Sequence, residues 1–508
     1  MEKTNKRKEI IVILILMGIY LIINGIFLVG HEHWRDEANV WLVARDNTPF
    51  EVIKEIRWQG HPCLWYFIVM PFAKLGFPFE TISVLSYLFM TTVACIFMLK
   101  APFHMITKTI CLFSPIFTYY YPVVARNYCV LVLLLLLLAH FYPKRNEKSI
   151  LYGVLLGLLV QADTLGLVVS GFISLMWLWE CVYTSVKKKI KAPLFTGAKG
   201  LWIPLASFFF WVYQFSGVSE SPLYLNRKFS PGELLREMSI FAKYILNRMT
   251  GMEDGFNFIV VILFLTTGVL AAVVMKNAWP TIVVLGLFVF QVIFSLMIYQ
   301  LHIWHYIMLC FTIIWSFWLG CDKRNAAEYP EEKKIPYAKA GKAVSVMAQL
   351  VLVVLGVTMF LMWISPEEPS NIANAYNGLY SDGKNTAAYI KENVDAEELI
   401  ITTDVSEAAS VVAYLNRDYR FYFAGNGEAE TFSSYRNEQN APIAYAQLLE
   451  WIENNFPEKE YFYLMECSTN CLTEISKNDK DAWELCYQTP EKTARSEEYS
   501  LYKIALTK

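Results

Sequence analysis

Residues 10–37 read IIVILILMGIYLIINGIFLVGHEHWRDE, an apolar stretch that ends at Gly30 and is followed at once by a charged segment. An apolar stretch of about 20 residues is long enough to cross a bilayer as a helix. Basic residues precede it between Met1 and Lys8, and no small-residue cleavage signal follows it, so we expect a retained first span. The stretch predicts a membrane protein whose Asp36 and Glu37 carboxylates lie at the membrane–water boundary.

The composition of the 508-residue chain agrees with this prediction. Hydrophobic residues make up 55% and charged residues 18% of the chain, which excludes an ordinary soluble single-domain enzyme. Residues 1–365 contain 32 Lys and Arg against 21 Asp and Glu, a net charge of +11, whereas residues 366–508 contain 12 against 25, a net charge of −13. We therefore expect a basic cytoplasmic tail at 1–8, a membrane domain at 9–365 and an acidic soluble domain at 366–508. We do not expect nucleic acid as a partner.

Apolar stretches of suitable length predict an α-helical polytopic protein with about eleven spans. They lie near residues 10–30, 79–99, 109–125, 128–142, 149–162, 165–184, 200–217, 257–275, 279–299, 305–320 and 344–364. With the N-terminus in the cytoplasm, 21 of the 32 basic residues of the membrane domain fall in predicted cytoplasmic segments, as the positive-inside rule requires. This orientation predicts a multi-pass cell-membrane protein with an extracytoplasmic C-terminal domain.

Residues 31–75 are too polar to cross the membrane, and we expect them to form an outward loop on its surface. Two sets of apolar residues recur at helical spacing and predict two interfacial helices. The sets are Trp34, Ala38 and Trp41, and Val52, Ile53 and Ile56. A third apolar run, at residues 63–75, is too short for a comfortable span and is predicted to dip into the interface.

The C-terminal region has the pattern of a small α/β domain, because short strand candidates alternate with helix candidates after Pro366. The predicted strands are 399–403, 420–424 and 461–466, and the predicted helices lie near 385–392, 406–415 and 441–454. Three cysteines, Cys467, Cys471 and Cys486, fall in this domain without a histidine at zinc-binding spacing. A disulfide among them is left open if the domain is extracytoplasmic.

Four outward turns carry polar side chains that could act in chemistry. They are Trp34-Arg35-Asp36-Glu37, Gly60-His61-Pro62, Ala125-Arg126-Asn127-Tyr128 and Gln161-Ala162-Asp163-Thr164. Each also has an ordinary explanation: first-turn carboxylates suit the helix dipole, a histidine can lie on a surface, an arginine can anchor at the interface and an aspartate can cap a helix. Under the predicted threading all four face one cleft. Carboxylates opposite an arginine and a histidine suit a reaction on an anionic lipid substrate.

The arrangement resembles the GT-C class of membrane glycosyltransferases, which use sugars carried on polyprenyl phosphate. Within that class it is similar to bacterial family 39-like members, the protein O-mannosyltransferase and lipopolysaccharide sugar-transferase relatives. The resemblance rests on HEHWRDEA at 31–38, GHPCLWY at 60–66 and ARNY at 125–128, and it covers residues 10–320 in order and topology. It implies a GT-C-like fold and a glycosyltransferase activity.

The resemblance also implies roles for individual residues. Asp36 stands where the family has its catalytic aspartate, with Glu37 beside it, and His61 and Arg126 match positions near the donor phosphate. The chain departs from the family pattern at Cys63, where a second proline is usual, at the turn of Asp163, which lacks a His or Lys, and at His305-Tyr306, where an Arg-Tyr pair is common. The residues expected to bind substrate are Arg35, His61, Arg126, Tyr128, Asp163, His302 and His305.

We therefore expect an inverting glycosyltransferase that moves a hexosyl or pentosyl group from a polyprenyl-phosphate donor to a hydroxyl of a lipid, glycan or protein acceptor. Such a reaction needs a base for the hydroxyl and cations for the departing phosphate. A retaining mechanism with Glu37 as nucleophile stays open. No metal and no cofactor are expected, because arginine and histidine side chains can hold a monophosphate.

Two other functions are compatible with a chain of this kind. The alternative is a transporter or flippase for a lipid-linked saccharide, which would also have many spans and buried charges. It is less favoured because the charged residues cluster at one face and no inverted repeat is evident. A membrane scaffold with an acidic partner-binding domain would leave Asp36 and Glu37 without a task.

Overall fold

The structure is a computed structural model that describes residues 2–217, 230–250, 254–326, 331–365, 380–429, 431–435 and 442–506. The chain divides into two compact units. The helical unit comprises Met1–Ile26, Ser86–Ser216 and Tyr224–Glu368, and the α/β unit comprises Phe27–Leu85, Gly217–Leu223 and Pro369–Lys508. The segment that follows the first span and the C-terminal region thus belong to the same compact unit.

Helices dominate the first three-quarters of the described chain. They are α1 (Glu2–Gly30), α2 (Arg35–Asp46), α3 (Pro49–Gln59), α4 (Leu64–Lys74), α5 (Thr81–Lys100), α6 (Met105–Leu112), α7 (Pro115–Thr118), α8 (Tyr128–Phe141), α9 (Ser149–Ala162), α10 (Thr164–Lys188), α11 (Ala192–Phe215), α12 (Pro231–Thr250), α13 (Asp254–Met275), α14 (Trp279–Met297), α15 (Ile303–Cys321) and α16 (Glu331–Trp363). Two short 3₁₀ helices lie at Tyr142–Lys144 and Lys323–Asn325.

Seven helices among the described residues are long and apolar enough to cross a membrane. Their spanning parts are Arg7–Gly30, Thr81–Lys100, Thr164–Lys188, Gly255–Met275, Trp279–Met297, Ile303–Cys321 and Pro336–Trp363. Helices α8, α9 and α11 coincide with three further predicted spans. The chain is a multi-pass membrane protein, as its hydropathy predicted.

The predicted span at 109–125 is wrong, because the chain there is not one continuous helix. Helix α6 ends at Leu112, the single turn α7 begins at Pro115, and the backbone is irregular from Tyr119 to Arg126. Pro115 has no N–H to donate and disfavours a helical conformation in the residue before it, and Ser114 is accordingly extended (φ −76°, ψ 155°). Irregular backbone at membrane depth is tolerated where protein buries it, and residues 115–130 are all buried.

The span pattern left residues 218–256 without a predicted helix, yet α12 covers Pro231–Thr250. Its N-terminus has a capping box, in which the Ser230 hydroxyl accepts from the Glu233 N–H and the Glu233 carboxylate accepts from the Ser230 N–H at 3.0 Å. This helix is amphipathic, with charged residues between its apolar ones. The charged residues lower the hydropathy averaged over a span-length window, so that average does not detect the helix. Residues 218–229, which include Arg227 and Lys228, lie outside the described residues.

Glycine permits a close contact between helices α9 and α11 of the helical unit. A Cβ atom added to Gly153 would overlap the carbonyl oxygen of Gly200, and one added to Gly200 would meet the Trp177 ring. Small residues at membrane helix interfaces let the backbones approach and gain van der Waals contact. The pair Gly153 and Gly200 therefore determines how α9 and α11 pack.

The α/β unit contains α2, α3 and α4 together with a C-terminal domain built on a five-stranded sheet. The remaining helices are α17 (Gly383–Asn393), α18 (Val405–Leu415), α19 (Tyr445–Asn455) and α20 (Lys477–Asp481), and the strands are β1 (Ile400–Thr402), β2 (Phe421–Phe423), β3 (Ile443–Ala444), β4 (Tyr461–Cys467), β5 (Leu472–Thr473), β6 (Glu484–Gln488) and β7 (Tyr499–Ala505). The predicted α/β domain and its three predicted strands and helices are present.

The sheet has the order β2-β1-β4-β7-β6. Strands β2, β1 and β4 are parallel, whereas β7 is antiparallel to both β4 and β6. Its apolar core includes Ile401, Leu448, Phe462 and Leu464, all of them fully buried. Cys467 and Cys471 are buried and Cys486 is half-buried, and the structure has each of the three as a thiol.

Helix α2 is covered by residues of its own unit. Ala38 and Trp41, whose spacing predicted the helix, are 0% and 1% exposed, and α2 packs against α18 of the C-terminal domain. Val52 and Ile56 of α3 are fully buried in the same way. The helical spacing in residues 31–75 thus corresponds to side chains that are buried within the α/β unit.

We expect Gly153→Ala to destabilise the helical unit by about 1–3 kcal/mol, because the new methyl group meets backbone rather than a movable side chain. The measurement is the thermal midpoint of the detergent-solubilised protein. Gly171→Ala on α10 is the matched control, since nothing lies within 4 Å of a Cβ at that position. Equal midpoints for the two variants would contradict the proposed role of the α9–α11 contact.

Candidate active site

The first turn of α2 places Arg35, Asp36 and Glu37 in sequence directly after the first span. Trp34 is the extended N-cap residue (φ −106°, ψ 175°), and the Glu37 carboxylate accepts its N–H at 3.2 Å. The same carboxylate oxygen lies 3.0 Å from Nε2 of His31. Both contacts satisfy a buried charge at the positive end of the helix dipole.

The two adjacent carboxylates therefore have different surroundings. Glu37 is 0% exposed and caps the helix, whereas Asp36 is partly exposed. A group that accepts a proton from a bound hydroxyl must be reachable by that hydroxyl. Of the two carboxylates, Asp36 is the one with the exposure that a general base needs.

His61 lies in the turn that joins α3 to α4. Helix α3 begins with a capping box between Thr48 and Glu51 and is followed by its C-cap residue Gly60, whose φ of +77° suits glycine. His61 follows this turn and is partly exposed. The chain thus presents the histidine in a defined turn of the α/β unit.

Arg35 contacts two carboxylates of the C-terminal domain. The peptide N–H of Arg35 donates to Oε1 of Glu497 at 2.9 Å, and Nη1 of its guanidinium donates to Oε1 of Glu407 at 3.3 Å. Glu497 is fully buried, and burial raises the pKa of its carboxyl to about 8, although the Arg35 N–H and guanidinium favour the charged form. Sequence analysis missed Glu407 and Glu497, because no local motif surrounds either residue.

In the helical unit, Arg126, Tyr128 and His305 come together. The Arg126 guanidinium carbon lies 5.9 Å from the centre of the Tyr128 ring, and the Tyr128 ring packs edge-on against His305 at 5.8 Å. Tyr121 stacks on Tyr128 at 5.2 Å and donates its hydroxyl to the Trp304 carbonyl at 2.7 Å. The irregular segment before α8 thus orients a buried arginine beside a histidine at the start of α15.

His305 has a defined ring orientation. Its Nδ1 accepts the His302 N–H at 3.0 Å, which assigns the ring proton of the neutral form to Nε2. Gln291 donates to the His305 carbonyl at 2.8 Å. His302 is exposed and its ring stacks on Trp304 at 4.8 Å. Of the two histidines, His305 is the buried one that contacts the Arg126 cluster through Tyr128.

Asp163 caps α10, as the ordinary explanation of this residue supposed. Its Oδ1 accepts the Leu165 N–H at 2.7 Å, and its Oδ2 accepts from the Asn127 amide at 2.8 Å. The Asn127 amide also donates to the Ala162 carbonyl. Asp163 therefore joins the turn after α9 to the turn that carries Arg126, and both carboxylate oxygens have protein donors.

The sequence-predicted site residues thus fall into two groups, one in each unit. The α/β unit holds Arg35, Asp36, Glu37 and His61, and the helical unit holds Arg126, Tyr128, Asp163, His302 and His305. Within the part of the chain that the structure describes, no group of three His, Cys, Asp or Glu side chains is placed to hold a metal ion.

The fold is similar to that of a known protein. The crystal structure of ArnT from Cupriavidus metallidurans bound to undecaprenyl phosphate matches with a TM-score of 0.57 and 10% sequence identity, over 96% of this chain and 97% of that chain. ArnT is a GT-C glycosyltransferase, so the match confirms the predicted GT-C-like fold. At this identity the likeness shows the fold alone. Neither a protein-family model nor a curated protein sequence matches the chain.

We expect the stability of the protein to depend on the pH through Glu497. The folded-state pKa of about 8 lies above the ordinary value of 4.5, so the folded protein binds this proton more tightly than the unfolded chain does. The stability contributed by the protonated carboxyl is complete below about pH 4.5 and is lost as the pH rises through about 8. Glu497→Gln cannot titrate, so its thermal midpoint in detergent should fall less between about pH 5 and pH 9 than that of the parent.

The matched control is Glu398→Gln in the same domain. Burial opposes the charged form of Glu398, but the Tyr461 hydroxyl and Lys459 outweigh it and lower the pKa of this carboxyl. This variant should therefore keep the pH dependence of the parent above about pH 5. Parallel curves for the parent and Glu497→Gln would refute the assignment to Glu497.

Proposed function

We propose that this protein, which has the GT-C fold, is an inverting glycosyltransferase that moves a sugar from a polyprenyl-phosphate donor to an acceptor hydroxyl at the outer face of the membrane. The observation that carries the proposal is the inequality of the two carboxylates that follow the first span. Glu37 is enclosed by its contacts with His31 and the Trp34 N–H, whereas Asp36 beside it is partly exposed.

Asp36 acts as the general base. It lies at the second position of α2, where the helix dipole favours the ionised form of a carboxylate. The acceptor hydroxyl gives its proton to Asp36 as its oxygen attacks the anomeric carbon of the sugar. Glu37 keeps the first turn of α2 in place through the cap and through His31, so its role is to position Asp36 rather than to react.

Arg126 and His305 act on the phosphate of the donor. A guanidinium donates two parallel hydrogen bonds to phosphate oxygens, and Nε2 of His305 carries a proton that it can donate. These donors stabilise the charge that develops as the bond between the anomeric carbon and the phosphate oxygen breaks. The neighbour ArnT is bound to undecaprenyl phosphate, which is the kind of lipid that this step would release. His61, His302 and Tyr128 are further donor-binding residues in this proposal.

The reaction balances without a metal ion or a cofactor. One carbon–oxygen bond forms to the acceptor, the carbon–oxygen bond to the phosphate breaks, the proton goes to Asp36 and polyprenyl phosphate leaves with the negative charge. A single displacement inverts the anomeric carbon, because the attacking oxygen enters opposite the leaving phosphate. The acceptor is a hydroxyl of a lipid, a glycan or a protein.

The proposed function is tested by mass spectrometry of the cell-envelope glycans of cells with and without the protein. We expect one sugar residue to be missing from a lipid, glycan or protein of the cells that lack it. Identical glycans in both cell lines would contradict the proposal. Loss of a whole saccharide from the outer face, with build-up of its lipid-linked form, would indicate a transporter instead.

We expect Asp36→Asn to lower the rate of transfer by about 100-fold or more, because loss of a general base costs about 10²- to 10⁴-fold. Glu37→Gln should cost less, since glutamine can still accept the Trp34 N–H. The rates are measured from the glycan product in membrane vesicles that hold equal amounts of each variant. An active Asp36→Asn with an inactive Glu37→Gln would assign the base to Glu37.

We propose that the N-terminus lies in the cytoplasm and that the C-terminal domain lies outside, from the distribution of basic residues. The test is labelling of introduced cysteines from outside the cell in a Cys486→Ser background. Asn426→Cys in the C-terminal domain should react, and Lys188→Cys should not, although both positions are exposed. The reverse pattern would place the Asp36 segment in the cytoplasm and would refute the mechanism.

A further inference from the structure

The C-terminal domain makes polar contacts with α2 along the whole helix. Near the middle of α2, the Asn39 amide donates to the Ser433 carbonyl at 3.1 Å and its oxygen accepts the Ser433 N–H at 2.8 Å. At the end of α2, Arg45 donates to the Asn416 carbonyl at 2.8 Å. These contacts hold the helix against the domain independently of its first turn.

The contacts at the first turn are of a different kind, because they involve ionisable side chains next to Asp36. Glu497 accepts the Arg35 N–H, and Glu407 accepts from the Arg35 guanidinium. Side chains of Glu407 and Glu497 are 5% and 0% exposed, whereas that of Arg35 is 33% exposed. Two buried carboxylates of one domain thus hold a partly exposed arginine that directly precedes the Asp36 base.

Both carboxylates are themselves held in place. Glu407 accepts from the Thr469 N–H at 3.0 Å and from the Thr469 hydroxyl at 2.8 Å. Glu497 accepts from the Ser410 hydroxyl at 3.3 Å. Trp34, the N-cap residue of α2, contacts Arg495, which lies two residues before Glu497. The guanidinium carbon of Arg495 is 4.5 Å from the centre of the Trp34 ring. The domain therefore presents a fixed set of acceptors to the start of the helix.

We propose that Glu407 and Glu497 are positioning residues for the transfer reaction, which hold Arg35 and thereby set the direction of the Asp36 carboxylate. The inference rests on the proposed function, because it presupposes that Asp36 is the base. It reassigns Arg35 from substrate binding to positioning. It also assigns the C-terminal domain a part in catalysis: two residues of that domain build the first turn on which the base lies.

The geometry explains why these contacts affect orientation. The peptide N–H of Arg35 is one of the first-turn donors that have no partner within the helix, and Glu497 satisfies it. If that acceptor is removed, the first turn loses a hydrogen bond and Arg35 is released toward the carboxylate beside it. A reacting group displaced by about 1 Å can lose about 100-fold in rate.

The experiment measures transfer in membrane vesicles that contain the full-length protein, by mass spectrometry of the glycan product. The variants are Glu407→Ala, Glu407→Gln, Glu497→Ala, Glu497→Gln, Arg35→Ala and the double variant Arg35→Ala/Glu407→Ala. Glu398→Ala is the matched control, because this glutamate also contacts a cation and a hydroxyl, Lys459 and Tyr461, in the same domain. Asp36→Asn is measured alongside.

We expect Glu407→Ala and Glu497→Ala each to slow transfer by about 10- to 100-fold, and Glu398→Ala to keep the rate of the parent within about twofold. The glutamine variants should recover most of the rate, since their amide oxygens can accept the same donors. The double variant should be no slower than Arg35→Ala, because Glu407 acts through Arg35. Recovery of the rate in the glutamine variants and the absence of a further loss in the double variant distinguish positioning from a general loss of stability.

Parental rates in both alanine variants would overturn the inference, and so would losses that multiply in the double variant. If an alanine variant does not fold, Arg35→Lys decides. The Arg35 guanidinium reaches Glu407 through Nη1 and Glu497 through Nε, whereas lysine keeps the charge but has a single nitrogen. A parental rate for Arg35→Lys overturns the inference, and a rate lowered about tenfold or more supports it. If Asp36→Asn itself is fully active, the assignment of Asp36 as the base fails and the inference fails with it. If Asp36→Asn is inactive and only the glutamate variants are unaffected, the inference alone fails.

Discussion

The contact of the Glu37 carboxylate with the Trp34 N–H and with His31 is the interaction on which the candidate site depends. A carboxylate that is completely buried needs donors, and these two supply them at 3.2 and 3.0 Å. Together they define where α2 begins. Once that position is defined, Arg35 and Asp36 must occupy the first turn, and the helix dipole acts on both. The adjacent acidic residues thus have two tasks: one builds the helix start and the other is presented by it.

A carboxylate with a structural task is also present in the helical unit. Asp163 uses both of its oxygens, on the Leu165 N–H and on Asn127, to join two turns. Arg126 lies on one of these turns and reaches the Tyr128 ring and, through it, His305. The segment before Arg126 is irregular because Pro115 interrupts the helix, and its burial by surrounding protein satisfies the condition for such backbone at this depth. The irregular segment thus ends at a buried arginine.

Local patterns in the sequence predicted much of this arrangement. The helices of residues 31–75 follow from apolar spacing and from end signals such as Thr48-Pro49 and Gly60, which act within one or two turns of the chain. The same local reasoning failed at 109–125, where hydropathy averaged over a window outweighed the effect of a single proline. It also failed at α12, whose capping box at Ser230 is a readable signal, because an amphipathic helix has no continuous apolar run.

By itself, the sequence determined the membrane character of the chain, the α/β character of its last quarter and the position of two carboxylates directly after the first span. These properties depend on the apolarity of neighbouring residues, which a stretch of chain carries with it wherever it lies. Only the tertiary structure decided that Glu37 is enclosed while Asp36 is partly exposed, and that Arg35 is held by Glu407 and Glu497. Those partners are 372 and 462 positions away in the chain. Their contact with Arg35 depends on how α18 and the sheet pack against α2, and a carboxylate that acts through such packing has no local pattern to reveal it.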